Sequence, residues 1–503
     1  MNKLTFLYSH RNLYLKVQGV VLFLTFIYLI INDFRGSNLF FIFLCIWNLF
    51  TYLHVFYFEV KFSPDFHPFI ILALVTAQYI GLNGIGTYFD LAKGKAIYFV
   101  VMDISDMLSG GVWFLMLQHY LTFAGYYYIY KKKYHLHDIT IIQELEESNI
   151  DYYKWAIRSY IILWIIRIAG IFINWAAYSS IINSYADQGQ LITLTLLSFK
   201  RLANNKSTPG NAFWIITLIE IILVLGSGMK EDILINLIPY AIFILLSYES
   251  GIINLNKKLI ARIGVLGAFV IFGVFPYVSI FRSISNERNL DWSEISVTEV
   301  LNEYGDYIFK TGKYSEMTQE DYNKSSTTYA ISRAGSINCN SWLINRTFNN
   351  GTDTKFFKYC LIGLVPRILW PEKPPVVVGN MMYELALGHN DWDKRAQDNA
   401  RNNKKVTSLA PGFVGASYMT FGLFGAIITF IIPGIVIGLL WFYIKDKLCY
   451  NLIAIWLFYI IIRIILKDFE AFKDAGLVFY AMSLFYCILI HIFPNKKYKP
   501  NIS

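Results

Sequence analysis

Charged residues are scarce in this chain. Of its 503 residues only 16% are Asp, Glu, Lys or Arg, whereas 55% are hydrophobic and 17% are aromatic, and the mean hydropathy is +0.43. An average soluble domain has about 25% charged residues. The shortage of charge excludes a soluble protein of this size. It predicts an all-α polytopic membrane protein, because a helix satisfies its backbone hydrogen bonds internally when it crosses lipid.

The chain also lacks the usual motifs for metals, cofactors and nucleotides. Its five cysteines form no CxxC pair, and its eight histidines form neither an HExxH motif nor a cluster with cysteine. A GxxxxGK[ST] loop and a dinucleotide glycine fingerprint are absent as well. These absences predict no bound metal and no cofactor. They also predict that the protein does not use nucleotide hydrolysis as an energy source for its activity.

Long apolar runs, in contrast, are abundant. A helix needs about 20 mostly apolar residues to cross a bilayer, and the runs predict about 12 spans, within a range of about 10 to 14. The predicted spans lie near residues 17–32, 39–58, 69–87, 107–130, 156–178, 187–202, 211–228, 231–250, 262–281, 421–444, 449–466 and 475–493.

One long polar segment interrupts this series. It extends from residue 282 to 420, after about nine spans in residues 1–281 and before about three spans and a short tail in residues 421–503. No second copy of the segment occurs, which argues against the duplicated halves of many transporters. A large loop of this kind suits an enzyme that acts on a lipid-linked substrate at a membrane face.

Lysine and arginine clusters predict the orientation. In the 12-span arrangement the clusters fall on one side of the membrane, and that side is cytoplasmic by the positive-inside rule. Both termini are then cytoplasmic, and the 282–420 loop faces outward. Basic inner loops near anionic lipid explain the net charge of +9, so no nucleic acid partner is expected. The clusters are at residues 131–133, 200–206, 257–262, 445–447 and 496–499.

The outer loop contains one rigid, cationic motif, Pro366-Arg367-Ile368-Leu369-Trp370-Pro371-Glu372-Lys373-Pro374. Its prolines restrict the backbone, and Trp370 suits the membrane interface or stacking on a sugar. Rigid backbone that holds Arg367 and Lys373 at the membrane surface is what a phosphate or pyrophosphate site requires. A proline-stiffened loop anchored by Trp370 is the structural alternative.

Other cations at the outer face are candidates for the same site. Arg282 and Arg288 follow the ninth predicted span, where anchoring at the interface competes with a catalytic role. Arg333 precedes residues 334–345, whose pattern predicts an amphipathic helix that lies over the membrane. An ion pair with an acidic residue of the loop is the alternative role of Arg333.

Two further cations belong to the helical part of the chain. Arg167 lies about 13 Å beyond Arg158 along the fifth predicted span. At that depth an ionisable group is a functional candidate or belongs to a buried ion pair. Lys230 lies in the predicted hairpin 226–232, whose glycines would let a phosphate approach backbone amides. A plain turn explains Lys230 equally well.

A family resemblance joins these features. The 366–374 motif is followed by Ser408-Leu409-Ala410-Pro411-Gly412-Phe413-Val414-Gly415-Ala416-Ser417-Tyr418 and by Phe421-Gly422-Leu423-Phe424-Gly425. With the order of spans, hairpin, large loop and closing spans, these motifs resemble the second half of O-antigen polymerases over residues 210–445. The resemblance implies a metal-independent glycosyltransferase of C-type architecture in the bacterial inner membrane, with its active site at the periplasmic face.

The resemblance also implies substrates and site residues. The expected substrates are undecaprenyl-pyrophosphate-linked oligosaccharides, and a chain-length regulator is an expected partner. Outer-face arginines of the family imply a catalytic role for Arg367, and after it for Arg282 and Arg333. Lys230 stands where the family often has arginine. Gly-Ala-Ser-Tyr at residues 415–418 replaces the usual Gly-Glu-x-Tyr, which removes an acid and leaves Tyr418 as a substrate-binding candidate.

Charge placement suggests a mechanism. Arg367, with Lys373 and either Lys230 or Arg282, would stabilise the leaving pyrophosphate, where most charge develops. A base for the acceptor hydroxyl should be a carboxylate or histidine near the interface, and none of the candidates stands out. Glu372 could instead form an ion pair within its motif. The candidate bases are Glu372, Glu384, Glu287 and His389.

Two alternatives to the polymerase remain open. A ligase would pass the finished chain from the same carrier to another acceptor, and its outer loop should present a histidine base. His389 is the single histidine in residues 282–420. A polysaccharide flippase or exporter would show duplicated halves and several charges deep in its spans, and both features are scarce in this sequence.

Overall fold

The structure is a computed structural model in which most described residues are helical, and no strand occurs among them. It describes residues 3–62, 72–73, 76–92, 108–133, 151–172, 189–190, 193–225, 239–240, 243–244, 247, 251–253, 261, 265, 277, 280–281, 284, 296–309, 337–365, 370, 372–374, 378–402 and 413–447.

Long helices dominate the described chain, as the apolar runs predict. Three helical stretches are long and apolar enough to cross a membrane, namely Ser9–Ile31, Asn38–Glu59 and Phe413–Leu439. The helices are α1 (Lys3–Ile31), α2 (Asn38–Phe62), a π-helix (Ala77–Leu82), α3 (Asn83–Ala92), α4 (Leu108–Lys133), α5 (Tyr152–Phe172), α6 (Asn211–Leu225), α7 (Val297–Phe309), α8 (Ile337–Asn350), α9 (Lys355–Leu364), α10 (Val378–Ala386), α11 (Trp392–Arg401) and α12 (Phe413–Lys447).

These apolar helices indicate a membrane-associated protein. The predicted spans 17–32, 39–58 and 421–444 each lie largely within one of the three stretches that can cross a membrane. The predicted spans 449–466 and 475–493 lie outside the described residues.

The chain divides into two compact units. The first comprises residues 1–139, 169–185 and 331–494, and the second comprises residues 140–168, 186–330 and 495–503. The first unit therefore contains α1 to α4 and α8 to α12. The second contains most of α5, together with α6 and α7.

In the first unit, α1 runs antiparallel to α2 and to α4. Near the start of α1, Arg11 forms an ion pair with Glu59 of α2 and lies over the ring of Tyr130 of α4. Farther along α1, the carbonyl oxygen of Leu22 accepts a hydrogen bond of 2.9 Å from the indole of Trp113, near the start of α4. The start of α1 and the C-terminal ends of α2 and α4 consequently share one end of the unit.

Helices α4 and α12 run parallel and touch backbone to backbone. The hydroxyl of Thr122 donates to the carbonyl oxygen of Phe430 at 3.1 Å. Gly434 faces the Thr122 carbonyl so closely that no Cβ would fit, and Gly125 and Gly438 make similar close approaches. Small residues on facing surfaces allow this packing, which is common between helices in membranes.

Gly422 interrupts α12. Its φ of 68° and ψ of −170° are not helical, so α12 consists of a short segment before Gly422 and a long apolar segment after it. Only glycine adopts these angles without strain. The interruption lies one residue beyond the start of the predicted 421–444 span.

Helix α8 lies against the N-terminal ends of α4 and α12. The side-chain oxygen of Asn340 accepts a hydrogen bond of 2.8 Å from the backbone N–H of Gly415 at the start of α12. Gly111, at the start of α4, packs tightly on Ser341. A helix is found here as α8, as predicted, but its apolar residues are buried in the core of the first unit and do not face a membrane surface.

The lysine clusters of the first unit lie at the opposite end from α8. Residues Lys131 to Lys133 close α4, and Lys445 and Lys447 close α12. Because α4 and α12 are parallel, both clusters are at the same end. Helix α8 and the lysine-rich ends of α4 and α12 therefore mark opposite ends of the first unit.

Candidate functional site

The end of α10 holds His389 in a fixed place. Gly388 has a φ of 82°, its N–H donates to the carbonyl oxygen of Leu385 at 3.0 Å, and the N–H of His389 donates to the carbonyl oxygen of Glu384 at 3.3 Å. This is a Schellman motif, which returns the residue after the glycine to the last turn of the helix. His389 consequently lies beside Glu384.

The side chains of Glu384, His389 and Asn399 form a polar group that we call the His389 cluster. Glu384 Oε2 is 3.6 Å from His389 Nε2, and Glu384 Oε1 accepts a hydrogen bond of 2.8 Å from the Asn399 side chain of α11. The Glu384 side chain is 8% exposed and that of His389 is 35% exposed. A buried carboxylate thus stands between an amide donor and an accessible imidazole.

Helix α11 is tied to α9 by polar contacts beside this cluster. Asp393 accepts a hydrogen bond of 3.1 Å from the Tyr359 hydroxyl and lies 3.5 Å from the Lys355 ammonium. Gln397 donates to the Tyr359 hydroxyl at 2.7 Å. Burial raises the pKa of Tyr359, and the nearby Asp393 carboxylate raises it further. These contacts fix α11, which carries Asn399.

An exposed ion pair lies at the start of α11, close in sequence to His389. Arg395 Nε donates to Asp391 Oδ1 at 2.8 Å. The hydrogen bond from Arg395 lowers the pKa of the Asp391 carboxyl. The two opposite charges therefore compensate each other close to His389.

Part of the proline-rich motif is described. The Lys373 N–H donates to the carbonyl oxygen of Trp370 at 3.1 Å, which closes a turn, and the Lys373 ammonium donates to the carbonyl oxygen of Val365 at 2.7 Å. Val365 is the C-cap of α9, where a cation is favourable because the helix dipole is negative. Trp370 and Glu372 are exposed. The motif therefore presents a ring and a carboxylate to the surroundings.

Tyr418 lies in α12, before the interruption at Gly422. Its ring centroid is 4.9 Å from that of Phe114 in α4, and the side chain is half-buried against the core of the first unit. The predicted substrate contact of this residue would have to use its accessible part.

Arg167 has its partners within the second unit. Its guanidinium donates to both carboxylate oxygens of Glu220 at 2.8 and 2.7 Å, and to Gln190 at 3.3 Å. Tyr160 donates to the same carboxylate at 3.1 Å, and the Glu220 side chain is fully buried. The ion pair that the sequence analysis gave as an alternative role for Arg167 is therefore present.

The remaining predicted residues lie outside the described part of the chain. They are Arg282, Arg288, Arg333, Arg367, Lys230 and Glu287. Within the described part, no group of three or more His, Cys, Asp or Glu side chains is arranged to hold a metal ion.

Sequence reasoning missed the pairing of Glu384 with His389 and the role of Asn399. The order helix, glycine, histidine at residues 378–389 is a readable signal for the first, because it is typical of a helix that ends in a Schellman motif. Asn399 had no such signal. No model of a protein family, no curated protein and no solved structure matches this chain.

Proposed function

We propose that this chain polymerises undecaprenyl-pyrophosphate-linked oligosaccharide units into a surface polysaccharide at the periplasmic face of the bacterial inner membrane. It does so as a metal-independent glycosyltransferase with about 12 spans, in the range of about 10 to 14, and C-type architecture. The motifs at residues 366–374 and 408–425 support the family, and the three apolar stretches support the membrane location.

The observation that carries the proposal is the difference between the two ends of the first unit. The lysine-rich ends of α4 and α12 lie at one end, and α8 lies at the other, with α9 packed against the start of α12. With the lysine-rich end in the cytoplasm, α8 and α9 stand at the outer surface. A lipid-linked sugar could meet them there without leaving the membrane.

Two tasks follow from the chemistry of the transfer. Arg367, supported by Lys373 and by Lys230 or Arg282, stabilises the departing pyrophosphate. The Lys373 ammonium donates to the Val365 carbonyl, which holds this cation at the end of α9. His389 or Glu372 takes the proton of the acceptor hydroxyl. Arg333, Arg288, Trp370 and Tyr418 remain candidates for contacts with the substrate.

A ligase is the second candidate function. The His389 cluster favours it, because an accessible histidine beside a buried carboxylate is the base that such an enzyme needs in its outer loop. In that case the whole polysaccharide passes from the undecaprenyl carrier to another acceptor. A chain-length regulator would be expected as a partner only for the polymerase.

Deletion of the gene distinguishes the two functions. Surface glycan reduced to single units indicates that the polymerase is lost. Long chains that accumulate on the lipid carrier and never reach the surface acceptor indicate that the ligase is lost. Normal surface glycan would contradict both proposals.

Arg367→Ala tests the central cation. We expect polymer synthesis to fall by roughly 100-fold or more, the effect of losing one electrostatic donor at a transition state. Glycan length is compared at equal protein levels, and Arg401→Ala is the control because Arg401 is exposed at the end of α11 and pairs weakly with Asp398, at 3.8 Å. Full-length polymer from Arg367→Ala would remove Arg367 from the mechanism.

A further inference from the structure

We infer that Glu384 is a positioning residue that orients His389, and that His389, rather than Glu372, is the general base on the acceptor hydroxyl. The inference rests on the proposed glycosyl transfer and assigns the proton transfer within it.

The backbone determines where His389 lies. The left-handed φ of Gly388 and the two hydrogen bonds at the end of α10 bring the residue after the glycine back over Glu384, five positions earlier. In most motifs of this type an apolar contact fills that place. Here a carboxylate and an imidazole fill it, although an apolar pair would suit a purely structural helix end.

The burial of Glu384 has an energetic cost that its partners offset. A carboxylate removed from water needs hydrogen bonds. Asn399 supplies one to Oε1, so Oε2 is the oxygen that faces His389 Nε2. The separation of 3.6 Å exceeds a hydrogen bond, but catalytic hydrogen bonds are often long without substrate and shorten in the complex.

This contact determines which nitrogen is the base. When Nε2 carries its proton toward Glu384, Nδ1 keeps a lone pair for the substrate. The carboxylate also stabilises the imidazolium that forms during the reaction. Asp391 also interacts electrostatically with His389, but it is exposed and paired with Arg395, whereas Glu384 is buried and lies 3.6 Å from His389 Nε2.

Within the described part of the chain, no buried side chain is seen in contact with Glu372. It is exposed in the turn that begins at Trp370, whereas His389 is accessible and has a buried carboxylate against it. Orientation of the base contributes to the rate only where neighbouring groups restrict it. The geometry therefore favours His389 as the base.

With His389 as the base, every bond, electron pair and proton of the transfer is accounted for. The acceptor hydroxyl gives its proton to Nδ1 of His389, and the oxygen forms a bond to the anomeric carbon of the donor sugar. The bond from that carbon to the pyrophosphate oxygen breaks, and the electron pair leaves with undecaprenyl pyrophosphate. The imidazolium then returns its proton to water.

Glu384→Gln is the first test. Glutamine has nearly the same shape and can still accept from Asn399, but it lacks the negative charge. The assay uses the purified full-length protein and the lipid-linked oligosaccharide extracted from the gene-deletion strain. We expect kcat to fall by about 10- to 100-fold with KM changed by less than about twofold, since the contribution of general-base catalysis is of this order or larger.

Asp398→Asn is the matched control. Asp398 is adjacent to Asn399 on α11, is exposed, and lies 3.8 Å from Arg401. The substitution makes the same change from acid to amide without touching His389. We expect the rate of the unmodified protein.

A double substitution separates positioning from a structural role. His389→Gln should lower kcat, and Glu384→Gln added to it should cause no further loss, because Glu384 acts through His389. If Glu384 had only a structural role, Glu384→Gln would lower the kcat of the His389→Gln protein by the same factor as it lowers the kcat of the unmodified protein. If Glu384→Gln fails to fold, Asn399→Ala provides the same comparison, with an expected loss of about 3- to 10-fold that disappears in the His389→Gln background.

Two outcomes overturn the inference. One is a Glu384→Gln protein with unchanged kcat, and the other is additive losses in the double variant. Failure of the proposed function gives a different result, because the unmodified protein would then form no glycosidic product from the extracted oligosaccharide.

Discussion

Buried charges in this chain have partners on neighbouring helices. Arg11 donates to both oxygens of Glu59 at 2.8 and 2.6 Å, and each side chain is 1% exposed. Arg167 binds Glu220 in the same forked way. A cation between apolar helices is tolerated here because a carboxylate on another helix compensates it.

Glu59→Leu should destabilise the protein by about 3–5 kcal/mol, because it leaves the Arg11 cation buried without its main partner. Thermal unfolding of the purified protein in detergent measures the effect. The double variant Arg11→Leu with Glu59→Leu should lose less, since no buried charge remains.

Lys61→Leu serves as the control for Glu59→Leu. Lys61 is exposed two residues later in α2, and its loss should change stability by no more than about 0.5 kcal/mol. A Glu59→Leu protein as stable as the Lys61→Leu protein would contradict the role of the ion pair.

For single residues, the sequence predicts which side chains carry chemistry better than it predicts which residues those side chains contact. The depth of Arg167 in an apolar run predicted either a functional residue or a buried ion pair. Its partner Glu220 is 53 positions away, and no local pattern identifies it. His389 was recognisable as the single histidine of the loop. Its contact with Glu384 depends on Gly388, and that of Glu384 with Asn399 depends on how α11 packs, which no local pattern records.

Helix positions follow closely from the apolar runs. The predicted span 107–130 corresponds to α4 (Leu108–Lys133), and 211–228 corresponds to α6 (Asn211–Leu225). Helix α1 begins at Lys3, well before the apolar run at residue 17, because helix formation continues through polar residues that find partners. The π-helix at Ala77–Leu82 was not predicted, since one extra residue per hydrogen-bonded turn leaves no trace in hydropathy.

Gly422→Ala tests the interruption of α12. Alanine at a φ of 68° and ψ of −170° should cost about 1–3 kcal/mol of stability. The nearest atom to an added Cβ is 3.6 Å away, so the cost comes from the backbone and not from a clash. The measurement is the unfolding temperature in detergent.

Gly305→Ala is the paired comparison. Gly305 lies inside α7 with open space around it, and alanine there should stabilise the helix by about 0.5–1 kcal/mol. Equal effects of the two substitutions would mean that the angles at Gly422 do not matter.

At the scale of the first unit, the lysine clusters that end α4 and α12 lie opposite α8. The sequence predicted this separation from lysine clusters and the long polar loop. It did not predict that α4 and α12 would be neighbours, because that contact depends on Gly125, Gly434 and Gly438, each of which lets the facing helix approach closely. Hydropathy measures how apolar a helix is and not which helix it meets.

Cysteine labelling tests the orientation. Lys358→Cys, exposed on α9, should react with a membrane-impermeant maleimide in intact spheroplasts, because the proposed topology places α9 in the outer loop. Lys132→Cys, exposed at the end of α4, should react only after the membrane is permeabilised. The unsubstituted chain gives the background from its own cysteines. The reverse pattern would invert the proposed topology.

The contact between α4 and α12 has a consequence for biosynthesis. The hydrogen-bonded residues Thr122 and Phe430 are 308 positions apart, so α4 leaves the ribosome long before its partner exists. At about 5–20 residues per second, this interval is roughly 15–60 s. During that time lipid, or a protein of the insertion machinery, must cover the glycine and threonine face of α4. Completion of the unit therefore waits for one of its latest helices, and chains truncated before residue 413 should be substrates for membrane proteases.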